Sequence, residues 1–133
     1  MAIAVGADAV IQIGQGASPE PASVDIVIEA SGAVPALVSA IESVKSGGTV
    51  VQLGMLPGGA LPVPLSGLIT REISLRGTQR FDTELDEAVQ VLDATPACEA
   101  VISHEFPFNQ AAAAFDCATD PGVSSKVLLK IAP

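Results

Sequence analysis

Two mainly apolar runs, "DIVIEA" at residues 25–30, continuously apolar from Ile26 until Glu29, and "GTVVQLG" at 48–54, enclose a segment with helical spacing. Consecutive apolar positions suit a strand covered on both faces, whereas a half-exposed strand alternates. Between them, "PALVSAIESV" repeats Leu37, Val38, Ile41 and Val44 at helical intervals, with Pro35 suited to a first turn and Gly47 with Gly48 as the stop. Strand, crossover helix and strand form the unit from which parallel α/β sheets are built. Composition agrees: 49% of residues are hydrophobic but only 3% aromatic, which predicts a core of Val, Ile, Leu and Ala.

The same rhythm extends outward. "DAVIQI" (8–13) reads as a short strand followed by the loop "GQGASPEPAS", too rich in Gly, Pro and Ser for a crossover helix. After "GTVVQLG" comes the irregular "MLPGGALPVPLSG", then "LITREISLRG" (68–77) as a helical turn leading into a strand. "TELDEAVQVLDAT" has a capping Thr83, early acidic residues and apolar Leu85, Ala88, Val89 and Leu92, which predicts an amphipathic helix. "EAVISHEFPF" is extended, "NQAAAAFDCATD" a second helix capped by Asn109, and "SSKVLLKIA" a closing strand. The length of 133 residues suits one compact domain.

Charge and rare residues exclude several functions. A formal net charge of −9, with six scattered basic residues, cannot neutralise a run of phosphates, so nucleic acid is not an expected partner. Apolar stretches are broken before they reach spanning length and the first residues lack a basic signal region, so no membrane is expected and the location is read as cytoplasmic. Cys98, Cys117 and His104 are the only residues of their kinds, without the spacing of a zinc site; both thiols are expected reduced and His104 structural.

The motifs "GADAVI", "VDIVIEASG", "SGGTVVQLGML", "REISLRGTQRF", "ISHEFPF", "AAFD" and "SSKVLLK" together span the chain in one order. In that order the sequence resembles the C-terminal part of a zinc-dependent medium-chain alcohol or polyol dehydrogenase, on the branch of the L-idonate 5-dehydrogenases and sorbitol dehydrogenases. The resemblance implies an α/β fold: a partial Rossmann-like parallel sheet, strands 3 to 6 equivalent, lacking the first two strands and the glycine-rich turn. It implies a single partial dinucleotide-binding domain over 1–133, whose closing strand in 121–133 lies near a catalytic domain absent from this sequence. In the family's 3-2-1-4-5-6 order, "DIVIEA" then has an unpaired edge, to be met by "DAVIQI" moving beside it or by another chain.

The resemblance also assigns residues. Glu29, Ala30, Ser31 and Gly32 match the turn beside the nicotinamide ribose, and Leu53, Gly54 and Met55 the segment bordering the nicotinamide ring. Thr78 matches a position facing the carboxamide and Arg80 one near the substrate; Lys126 matches a basic residue near the pyrophosphate. Read without the family, Glu29 is a solvated strand end, "LG" a tight turn, Arg80 a surface partner of Asp82 or Glu84, and Lys126, like Lys130, a solvent-facing strand residue.

The function implied by the resemblance is that of an NAD(P)- and zinc-dependent dehydrogenase acting on a secondary alcohol of a sugar acid or polyol, L-idonate-like. NAD or NADP is the implied cofactor, weakly bound or unbound by this chain, and zinc belongs to the catalytic domain outside it. Copies are expected to associate through strand edges that include 72–77. The competing expectation is a catalytically silent α/β module that oligomerises through exposed strand edges.

Overall fold

A computed structural model describes residues 1–13, 17–79 and 81–131. The chain divides into two compact units, Ile11–Asp82 and a second made of Met1–Val10 with Thr83–Pro133.

The first unit is a parallel three-stranded sheet in the order β1-β2-β3, from β1 (Val24–Glu29), β2 (Val44–Gln52) and β3 (Ser74–Gly77). Helix α1 (Val34–Ser43) connects β1 to β2, and a Pro-rich excursion ending in the short α2 (Ser66–Thr70) connects β2 to β3. The predicted helix is there, with Pro35 in its first turn. Its buried stripe is Leu37, Ala40 and Ile41, which pack with Val44, Val50 and Ile73 into the core, while Val38 is only half-buried. Ala40 belongs to the stripe because its small side chain lets the helix backbone approach the strands closely.

The helix does not run on to the glycines. It ends at Ser43, and Val44 is already extended, so Gly47 and Gly48 lie within β2. They make a bulge: Val24 faces Val44, but Ile26 already faces Thr49. Gly47 has a φ of 76°, and its N–H donates to the Arg71 carbonyl at 2.8 Å. That left-handed conformation is open to Gly at little cost, which accounts for a glycine at this point of the strand. Arg71 in turn closes the helix, its guanidinium donating to the carbonyls of Ile41 at 2.6 Å and Val44 at 2.8 Å, with Glu42 at 3.4 Å. These are carbonyls that the last turn of a helix leaves without partners.

Two expectations for this unit are corrected. Residues 8–13 form no strand; Ile13 makes only an isolated bridge to Ala17. The sheet of the unit therefore holds three strands, and β1 has β2 as its one neighbour among the described residues. Nor is β1 buried on both faces: Val27 packs towards α1, but Ile26 and Ile28 are each 65% exposed. Among the described residues of the unit α1 packs on the face that carries Val27, and on the other face Ile26 and Ile28 stay exposed. An apolar groove of about 770 Å³ follows β1 and α1, lined among others by Ile26, Ile28, Ala33 and Ala36.

In the second unit, β4 (Ile102–Pro107) and β5 (Lys126–Lys130) pair in parallel across α4 (Ala111–Ala118), whose Ala114 is buried. The closing strand thus pairs with β4. Helix α3 (Leu85–Ala94) forms where expected, yet Leu85, Val89 and Leu92 are all exposed. The predicted caps are not used. Glu84 stands at the cap position of α3 and Gln110 at that of α4, neither with a side-chain capping bond, and Asn109 lies in a 3-10 turn over Phe108–Gln110. His104 stacks on Phe106 with centroids 6.3 Å apart, in keeping with a structural role.

Candidate functional site at the carboxyl ends of the strands

Open parallel sheets gather ligands where their strands end, and here Glu29, Gln52 and Gly77 form one row at that rim. Alternation places the Glu29 and Gln52 side chains on the same face as Val27 and Val50, under the entry to α1. Glu29 is therefore no solvated strand end: it is 4% exposed.

A buried carboxylate is tolerated only if its oxygens are satisfied. Glu29 accepts from the Ser31 N–H at 2.7 Å, the Ser31 hydroxyl at 2.5 Å, the Gly32 N–H at 3.1 Å and the Gln52 side-chain amide. Burial pushes its pKa up, but the bonds from Ser31, Gln52 and Gly32 outweigh that and hold the carboxyl below its ordinary 4.5. Its backbone carbonyl is used as well, accepting the N–H groups of Leu53 at 2.8 Å and Gly54 at 2.9 Å. Gln52 also donates to the Gly54 carbonyl at 2.8 Å.

The turns after β1 and β2 are pressed together at two glycines. A Cβ on Gly54 would collide with the backbone of Gly32, and one on Gly32 with the Met55 carbonyl. Gly32 also has a φ of 71°. The lone "LG" is thus a close backbone approach, as only glycine permits.

The structure therefore brings together Glu29, Ala30, Ser31, Gly32, Leu53, Gly54 and Met55 on one rim. Thr78 joins them, its N–H donating to the Gln52 carbonyl at 3.1 Å. Lys126 opens β5 in the other unit, and Arg80 lies outside the described residues. Sequence reasoning misses Gln52 and Arg71: a lone amide in "VVQLG" and an arginine before a strand look like surface residues until their partners are known. The available signal is polarity in a run that is otherwise apolar.

The donors define what the rim can hold. The N–H groups of Ser31, Gly32, Ala33, Leu53, Gly54 and Thr78 are all engaged within the protein. Phosphate would have to displace such bonds and approach a buried carboxylate, so the rim does not fit the pyrophosphate of a dinucleotide. Exposed Leu53 and Met55, the latter 82% exposed, instead offer contact to a planar ring. For a metal the residues do not fit: among those described, no group of three or more His, Cys, Asp or Glu could hold one. No helix among them is long and apolar enough to cross a membrane.

Comparison with known proteins shows the family and the fold. Residues 1–94 match the family model described as "Zinc-binding dehydrogenase". Mouse sorbitol dehydrogenase is 33% identical over 141 aligned positions, covering 97% of this chain and 38% of that protein. The L-idonate 5-dehydrogenase (NAD(P)(+)) of Escherichia coli is 35% identical over 111 positions, covering 79% of this chain and 31% of that protein. The crystal structure of the Escherichia coli L-idonate 5-dehydrogenase superposes with a TM-score of 0.77 at 30% identity, covering 89% of this chain and 36% of that one. A Sinorhizobium meliloti protein described as a zinc-binding dehydrogenase and solved with NADP bound gives 0.70 at 29%, covering 84% and 33%. The chain thus spans less than two fifths of these relatives. With parallel strands, an α1 crossover and the rim all falling within the matched residues, the chain belongs to the zinc-binding dehydrogenase family, in its Rossmann-like cofactor domain.

Proposed function

We propose that this chain forms part of the cofactor domain of an NAD(P)- and zinc-dependent dehydrogenase that oxidises a secondary alcohol of a sugar acid or polyol, L-idonate-like. In this reading the Ala30–Gly32 and Leu53–Met55 turns, with Thr78, face the nicotinamide half of the cofactor, and Arg80 stands near the substrate. Lys126 is assigned to the pyrophosphate, and the zinc to residues other than those of this chain. The observation that carries the reading is the carboxyl rim itself, where backbone donors are spent internally and exposed Leu53 and Met55 remain. Such a rim suits a ring and repels phosphate.

Amide shifts of the 15N-labelled chain during titration with NADH or NADPH, up to about 10 mM, test this. The expected result is shifts centred on 30–32, 53–55 and 78, with a smaller one at 126, and a Kd no tighter than about 1 mM because the phosphates find few free donors. No shift at these residues refutes the reading, as does micromolar affinity.

A second reading, a silent module that associates through its strand edges, is favoured by the edge of β1, unpaired among the described residues, and by β3, exposed along its whole length. Association through edges that include 72–77 is compatible with either reading. Sedimentation at about 100 µM checks it, since edge pairing makes the apparent mass rise with concentration. A concentration-independent monomer would rule it out.

A further inference from the structure

Among the described residues, the Gln52 side chain bridges the ends of both strands. Its amide donates to the Glu29 carboxylate after β1 and to the Gly54 carbonyl after β2. Both neighbours are acceptors, so the amide nitrogen must face them; the reverse orientation would set oxygen against oxygen twice. That orientation leaves Gln52 Oε1 buried without a partner among the described residues. An orphaned acceptor is costly, and a leucine of similar volume removes it, but leucine also leaves the Glu29 carboxylate and the Gly54 carbonyl each one donor short, so Gln52→Leu costs stability as well.

We propose that Gln52 and Glu29 act as positioning residues, a hydrogen-bonded clamp that fixes the Ala30–Gly32 turn against the Leu53–Met55 turn without itself contacting the dinucleotide. The geometry explains why two groups are needed. Glu29 alone ties its own turn through Ser31 and Gly32, and only the Gln52 amide carries its carboxylate's position across to Gly54. With Gly32 and Gly54 already in backbone contact, a small shift of one turn must move the other. For its consequence on cofactor binding, the inference rests on the proposed function.

The test is a double-mutant cycle read without ligand, by hydrogen exchange at the Gly54 amide, which is bonded to the Glu29 carbonyl. Glu29→Gln is expected to accelerate that exchange about tenfold in the wild-type background, as for the loss of one charge-assisted bond. In a Gln52→Leu background the same change should have less than about a twofold effect, because the connection is already cut. Additive effects would overturn the clamp. Gln52→Asn, too short to reach both partners, supplies the second variant should leucine prevent folding, and should uncouple the turns in the same way.

NADH shifts then separate the two claims. Gln52→Leu should weaken NADH binding about fivefold or more under conditions where it is fully folded, whereas Val50→Ala, a packing change in the same strand, should lower the urea midpoint and leave the affinity unchanged. Unchanged affinity in a folded Gln52→Leu chain would refute positioning and leave the proposed function standing. Absence of NADH shifts in the wild-type chain, with the exchange cycle still non-additive, would sink the proposed function and positioning with it, and keep only the clamp.

Discussion

Arg71 supports the end of α1 from far along the chain, 27 residues beyond Val44, and replacing it with alanine should be among the costlier polar changes in the first unit. The guanidinium makes two short bonds, to the Ile41 and Val44 carbonyls, and a longer one to Glu42. Net contributions of hydrogen bonds to charged groups run at about 1.5–3 kcal/mol, and a cation at a helix C-terminus adds about 0.3–1 kcal/mol. Because Arg71 is partly exposed, water compensates some of the loss, and the expected cost of Arg71→Ala is about 2–4 kcal/mol. Arg71→Lys keeps the charge but brings a single ammonium to carbonyls that the fork spans together, and should recover about half. The sequence holds no Trp or Tyr, so urea unfolding is best followed by circular dichroism. At an m-value of about 2 kcal/mol per M, the alanine midpoint should fall by about 1–2 M. A loss below about 0.5 kcal/mol would show that solvent replaces the guanidinium freely, and full recovery by lysine would show that charge, not the fork, is what matters.

Two other perturbations concern the rim. Because the Glu29 pKa is lowered by folding, its contribution is complete above 4.5 and lost as pH falls through the folded-state value; the stability gap between wild type and Glu29→Gln at pH 7 should therefore close on acidification, as urea midpoints across a pH series would reveal. Gly54→Ala places a methyl against the Gly32 backbone, which cannot swing aside as a side chain can, and should cost about 1–3 kcal/mol with shifted Gly32 and Met55 amides; an unperturbed spectrum would contradict the close approach.

The parts of this fold that are legible in the sequence are those in which one residue's neighbours lie within a turn or two of it. Leu37 and Ile41 announce the buried side of α1 because helical spacing alone puts them on one face. "DIVIEA" announces a strand for a similar reason, but its apolar residues do not say what covers them, and Ile26 and Ile28 are left exposed. "DAVIQI" has a similar composition and forms no strand, since a strand exists only through its neighbour. The paired glycines mark a break in the chain's course without fixing its position: Gly47 and Gly48 shape a bulge inside β2 because Arg71, remote in sequence, closes the helix before them. In the site, Glu29 stands out as a charge at the end of an apolar run. The role of Gln52 does not, because it depends on acceptors 23 residues before it and two after it.

The open side of β1 also bears on the protein as a colloid. At neutral pH the formal charge of −9 opposes association through the β1 edge, which has no strand partner among the described residues and is flanked by exposed Ile26 and Ile28. Near the sequence isoelectric point of about 4.2 that mutual repulsion vanishes, and an open strand edge becomes a template for sticking. Precipitation on acidification towards that pH is thus the expected surface consequence of the same strand whose end holds the buried carboxylate.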